Sequence, residues 1–195
     1  MKRRLLHVVL LAVLSALLTA CGDIISAASS PDSDVATLVR LSRLATQRAQ
    51  NVAAGATLQQ LDIDRASGRY MFRFTDAAST QEITVEAPTA QTPAEQWQVT
   101  RSSVSPLVGR ATAAIDPAAL KVGPGAVAQA MQQFHTDAQV RTLTLVNEGS
   151  QLVWYIFGEA AGGRISGKML NTTGAFQPLG PSPVKIPPTA PAGSR

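Results

Sequence analysis

The stretch LTLVNEGSQLVWYIF, residues 143–157, decides the fold. Leu143 and Leu145 alternate with Thr144 and Val146, Asn147-Glu148-Gly149 offers a turn, and Leu152, Trp154 and Ile156 alternate again. Successive strand side chains point to opposite faces, so two period-two runs about a turn read as a β-hairpin. Downstream, Ile165 belongs to a further strand over 164–170. Upstream, Asp116-Pro117 supplies an N-cap with proline at the first helical position. Gly123-Pro124 restarts a helix over Pro124–Phe134 carrying Val127, Ala130, Met131 and Phe134.

The same order occurs earlier in the chain. Asp32, Ser33 and Asp34 are N-cap types after Pro31. Val35, Leu38, Leu41, Ala45, Ala49 and Val52 then step by three or four and form one helical stripe, ended by Gly55. Leu61 and Ile63, then Tyr70, Phe72 and Phe74, then Ile83, Val85 and Ala87 alternate with polar neighbours. Six apolar positions recur at a constant offset of 82: Leu61/Leu143, Ile63/Leu145, Tyr70/Leu152, Phe72/Trp154, Phe74/Ile156 and Ile83/Ile165. The expected fold class is therefore α+β, with two tandem copies of a helix packed on a small antiparallel sheet, side by side. The first copy spans 34–105, including a strand over Trp97–Val104; 106–115 links it to the second, 116–177. The tail 178–195 holds six prolines and is expected to be extended, because proline lacks the amide donor that sheet and helix need.

The second copy resembles a PepSY-type domain. The resemblance rests on the helix Pro124–Phe134, the strands Val140–Val146, Leu152–Phe157 and Arg164–Leu170, and the closing turn Asn171-Thr172-Thr173-Gly174. The first copy, Val35 to Ala90, shares the order without the Thr-Gly ending. The resemblance implies a small non-enzymatic module of secreted or membrane proteins, for which an inhibitory role toward peptidases is often proposed.

The amino terminus gives an address. Lys2-Arg3-Arg4 precedes an apolar run from Leu5, and Leu18-Thr19-Ala20-Cys21 follows it. A basic segment, an apolar core and small residues before a cut are the layout of a secretory signal. The run is short for a bilayer-spanning helix, which needs about 20 residues. Leu-Thr-Ala-Cys resembles the lipobox of bacterial lipoproteins. That resemblance implies signal removal after residue 20, a thioether-linked diacylglycerol on Cys21, and a third chain, commonly palmitate, on its amine. Two or more acyl chains hold a protein stably on a membrane. Gly22, in place of the aspartate associated with inner-membrane retention, leaves an outer-membrane destination open. Residues 21–33 are the expected tether. The chain faces the periplasm or the exterior on this reading.

Removing residues 1–20 takes Lys2, Arg3 and Arg4 with it, leaving 14 basic against 13 acidic residues and a net charge near +1. That balance provides no strong basic field for nucleic acid. Cys21 is the sole cysteine, so acylation removes the only thiol, and His135 is the one histidine after the cut. The residues give no metal, cofactor or catalytic assignment. Asp62-Ile63-Asp64-Arg65-Ala66-Ser67-Gly68 has the look of a calcium loop, but Arg73 stands where the closing glutamate belongs. The expected reading of those acids is the wet face of a strand before a turn. His135 reads as a helix-end histidine, and Gly162-Gly163 and Gly123-Pro124-Gly125 read as turns without a phosphate-loop ending.

Two features are left as candidate contacts. Arg40, Arg43 and Arg48 lie where a short tether would keep them near anionic head groups, each contact being worth about 1 kcal/mol; a solvated helix face is the commoner explanation of such residues. Leu152–Phe157 is apolar on both faces. Strands of that kind are normally covered on both sides. Val153, Tyr155 and Phe157 are accordingly either buried between the two copies or a surface that receives a protein partner. The expected function is a lipid-anchored, non-catalytic, protein-binding envelope protein, acting on a peptidase or in envelope assembly. A carrier of small apolar ligands and an envelope hydrolase are the alternatives.

Overall fold

The structure, a computed structural model, describes residues 31–78, 80–103 and 113–180. The signal segment 1–20, Cys21, most of the tether, Val104 with most of the linker, and residues 181–195 lie outside the described residues. Helix α1 runs Pro31–Gln50 and is followed by strands β1 (Thr57–Asp64), β2 (Arg69–Thr75), β3 (Gln81–Ala87) and β4 (Gln98–Ser103). Helix α2 (Pro124–Phe134) is followed by β5 (Gln139–Glu148), β6 (Gln151–Ala160), β7 (Gly163–Leu170) and β8 (Phe176–Leu179).

The expected pair of side-by-side α+β copies is not what forms. All eight strands make one antiparallel sheet in the order β4-β3-β2-β1-β5-β6-β7-β8, and the molecule is mainly β. The physical reason is the pairing of β1 with β5. Leu61 faces Leu145, Asp62 faces Thr144 and Ile63 faces Leu143. Each half would otherwise leave an open edge there, and ladder hydrogen bonds across the joint satisfy both edges at once. The 82-residue offset is built into this register, because residues 62 and 144 are directly opposite. Bulges in β1 and β5 fall at Gln59 and Arg141, again 82 apart.

Both helices lie on one face of the sheet, and a single apolar core runs beneath them. Leu38, Leu41, Ala45 and Ala49 from α1 and Val127 and Met131 from α2 join Phe72, Phe74, Leu143, Leu145, Trp154 and Ile156 in one cluster. Each fully buried large apolar side chain contributes roughly 1.5–3 kcal/mol, so one continuous core stabilises more than two small ones. Trp154 lies at its centre, fully buried, with Nε1 donating to the Val122 carbonyl at 3.1 Å. Phe72 stacks on Trp97 with centroids 6.1 Å apart.

Local chemistry explains the turns. The β5–β6 loop is Gly149-Ser150, with φ of 54° and 78°. Positive φ at both central residues is the signature of the tight hairpin turn that matches strand twist. Asp64 closes the β1–β2 turn by accepting from the Ala66 and Ser67 amides and the Ser67 hydroxyl. Asp116-Pro117 makes only a 3-10 turn, Pro117–Ala119, capped by the Asp116 carboxylate; the α-helix starts at Pro124. Asp34, expected to cap its own helix, lies inside α1 and accepts from the Gly125 amide at 3.1 Å, in the first turn of α2. A Cβ on Gly125 would collide with that carboxylate, so a larger residue there would displace Asp34 from the cap. Buried Asn171 accepts from the Lys121 and Val122 amides and donates to the Ala119 carbonyl, fixing the chain entering α2 against the end of β7.

The expected start of the tail at residue 178 is not what forms. Pro178 is in β8, facing Gly167 of β7. An edge strand admits proline because its outer side has no neighbour awaiting an amide.

Candidate functional site

The helices cover one face of the sheet; among the described residues no helix packs on the other. That open face divides along the β1–β5 joint. On its first half, Arg73 bridges two carboxylates, Nε to Asp62 at 3.1 Å and Nη1 to Glu82 at 3.3 Å. Asp62 also accepts from Gln60 Nε2 at 2.9 Å and from the Thr144 hydroxyl at 2.7 Å. Glu82 is only 9% exposed. Arg69 pairs with Asp64 and Glu86. Asp62 thus serves the ion-pair network of the strand face, where its side chain is largely buried, and Asp64 serves the turn.

On the second half the register sets three rows side by side. Val146, Val153 and Leu170 form one, Thr144, Tyr155, Lys168 and Gln177 the next, and Thr142, Phe157, Ser166 and Leu179 the third. The three candidate residues therefore share one face, on alternate positions of β6. Their exposure differs: Val153 is 3% exposed between Val146 and Leu170, Tyr155 is half-buried with its hydroxyl hydrogen-bonded to Glu148, and Phe157 is 45% exposed. The expected burial between two copies does not occur, because both halves belong to one sheet and α2 covers the Trp154 side of β6 alone.

Sequence reasoning missed the cations beside these aromatics. Lys168 is opposite Tyr155, and exposed Arg164 is one row beyond Phe157; neither has a carboxylate within salt-bridge reach among the described residues. The signal was present in part: the two-residue turn Ala161-Gly162 fixes the β6–β7 register, with Ala160 facing Gly163.

The helix arginines take different positions. Arg40 Nη2 donates to the Ala90 carbonyl at 3.1 Å and Arg48 Nη2 to the Trp97 carbonyl at 2.9 Å, pinning α1 to the chain around β4; Arg43 is exposed without such a tie. His135 terminates α2 and packs edge-on against Phe134, centroids 5.0 Å apart. A solvent-open recess of about 370 Å³ is lined by Asp137, Gln139, Glu159, Ala160 and Ala161. Asp137 there is held below the usual carboxylate range, chiefly by the Ala161 amide donating to it. Burial pushes the Tyr70 phenol up, with Asp34 nearby adding to it. Among the described residues no three His, Cys, Asp or Glu side chains converge as a metal site would require, and no helix is long and apolar enough to cross a membrane.

No protein-family model matches the chain, so the PepSY-type resemblance gains no support there. No curated protein matches it either. Among solved structures the fold is similar to that of a "putative lipoprotein" from Clostridium difficile 630, with a TM-score of 0.52 and 11% identity, over 68% of this chain and 87% of that one. The shared feature is the fold.

Proposed function

We propose that this chain is a lipid-anchored protein of the cell envelope, held by an acylated Cys21, that binds a protein partner through the second half of its open sheet face and performs no chemistry of its own. The observation that carries the binding reading is Phe157, 45% exposed in the middle of a ten-residue strand. A lone exposed apolar residue needs no explanation. Phe157, however, lies one row from Tyr155, which lies one row from Val153 and Leu170, so it is the most accessible part of an apolar stripe along β6 flanked by Thr142 and Thr144 on one side and Ser166 and Lys168 on the other. An apolar centre with a polar margin is the composition of a protein interface. The anchoring reading is supported by Lys2-Arg3-Arg4 and Leu18-Thr19-Ala20-Cys21, and by the word lipoprotein in the name of the structural neighbour. Partner identity within this class, a peptidase or an assembly component, belongs to the same proposal.

The two parts are tested separately. Cys21→Ser should leave an unlipidated precursor or a soluble form; a variant that stays in the membrane fraction and still takes up labelled fatty acid refutes the anchor. Crosslinking in intact cells from a photoreactive residue at 157 should trap one protein reproducibly. Tyr155→Ala should abolish that product at unchanged melting temperature. A product indifferent to Tyr155→Ala removes the binding face.

A further inference from the structure

The two edges of the sheet are finished differently. β8 is four residues long and carries Pro178, two of the devices by which natural sheets block further pairing. β4 is six residues long, pairs with β3 in an unbroken register, and contains no proline, lysine or bulge. All of its side chains except Val99 are exposed. Its one charge, Arg101, is drawn back toward the helices by a hydrogen bond to the Val52 carbonyl. An edge of this kind leaves main-chain donors and acceptors available to another strand.

We propose that β4 is a pairing edge on which β4 of a second copy of this chain adds antiparallel, with Thr100 opposite Thr100. Symmetry and register lead to that arrangement. A two-fold axis perpendicular to the sheet makes an isologous contact and keeps both helix layers on the same side. Both α1 helices then lie on one side of the joined sheet, an arrangement compatible with two chains anchored in one membrane; this clause rests on the anchoring reading above. Directly opposite residues in an antiparallel pair share a face, so the axis must pass through a residue position. Centred on Arg101, the pairing would set two guanidiniums against each other, which is destabilising. Centred on Gln98, Val99, Ser102 or Ser103, it would leave half or more of the strand unpaired. Centred on Thr100, it sets Gln98 opposite Ser102 and Val99 opposite Arg101, uses five of the six residues, and provides a favourable threonine pair. A six-residue polar strand makes a weak contact in solution. Confinement of both copies to one membrane raises their effective concentration and favours it.

The test uses the full-length protein in the envelope of intact cells, where disulfides form. Thr100→Cys should give a disulfide-linked homodimer on a non-reducing gel, because opposite strand residues lie within the roughly 4.4–6.8 Å Cα range a disulfide needs. Ser102→Cys should give none, since its own counterpart would be four residues along the partner strand, about 13 Å away at ~3.3 Å per residue. The unsubstituted chain is the control for Cys21. The pairing is overturned by no Thr100→Cys dimer, by equal dimer at both positions, or by a Thr100→Cys product joined only to a different protein. Fatty-acid labelling of the same samples separates the two readings. Label without dimer refutes the pairing and keeps the anchor; dimer without label does the reverse.

Discussion

The two halves of the open sheet face solve one problem in opposite ways. Arg73 and Tyr155 hold equal places, 82 residues apart, each on the middle strand of its half. Around Arg73 every charge is answered from within: Asp62, Glu82, Gln60 and Thr144 close a network. Around Tyr155 lie Phe157, Val153 and Lys168, with Glu148 bonded to the Tyr155 hydroxyl, and Lys168 has no carboxylate within salt-bridge reach among the described residues. The lesson is that an uncovered sheet face need not be a binding face. The first half is finished by its own ion pairs; on the second, Lys168 and Arg164 form no salt bridge among the described residues, although Glu159 stands opposite Arg164 in the register.

The sharpest break with that comparison would come from β6 itself, which faces the core with one set of residues and the outside with the other. Trp154→Ala should cost about 3–5 kcal/mol in urea unfolding, the usual range for a buried aromatic, plus the hydrogen bond to Val122. Phe157→Ala should change stability by no more than about 0.5 kcal/mol. A loss above about 2 kcal/mol at Phe157 would mean that its side of β6 is also core, and the binding face would disappear.

A smaller effect separates the two halves. Arg73→Met leaves the Asp62 and Glu82 carboxylates close together without their shared cation, and should cost about 1–3 kcal/mol. Lys168→Met, on the other half, should stay within about 0.5 kcal/mol. Equal effects would show that the first half is not closed by its ion pairs. On the covered face, Ser42 is 1% exposed and its hydroxyl has no partner. Ser42→Ala should therefore raise stability by about 1 kcal/mol.

The smallest expected effect is acid sensitivity at the turns. Amide and hydroxyl donors hold three turn carboxylates below their usual 3.8: Asp64 through Ser67, Asp76 through Gln81, and Asp137 through Ala161. A carboxylate whose folded value is depressed contributes stability that is complete above its unfolded value. That stability is lost as the pH falls through the lower folded one. The melting temperature should thus be flat with respect to these groups at neutral pH and decline below the ordinary carboxylate range. Asp76→Asn should flatten part of that decline; an unchanged acid slope would exclude the Asp76 turn as a contributor.

Legibility in the sequence followed the range of the interaction. Alternation at Leu61–Ile63, Tyr70–Phe74, Ile83–Ala87, Leu143–Leu145 and Leu152–Ile156 located five strands, because strand side chains report burial every second residue. The helical stripe from Leu38 to Ala49 located the buried side of α1. The β1–β5 joint was not legible, since two strands 82 residues apart carry no local mark of pairing, and without it the halves read as separate sheets. Asp34 was legible as a cap but not as the cap of the other helix, because the contact is tertiary. The aromatic part of the candidate site stood out as an unbroken apolar run. Arg164 and Lys168 did not, since they come from β7 and reach the site only through register.

The β1–β5 joint also sets an order of events. Seven strand pairings hold the sheet together, and every one except this joins strands consecutive along the chain. Hairpins with short turns close in microseconds, whereas bringing residues 60–64 to 142–146 closes a loop of about 80 residues. By chain-closure entropy that step is roughly 2–3 kcal/mol less favourable than closing a four-residue turn. The two halves should zip first and meet last. Until they meet, β1 and β5 are both raw edges facing water. A newly made chain is therefore most prone to wrong pairing in that interval, and any factor that shields nascent strands should act on it there.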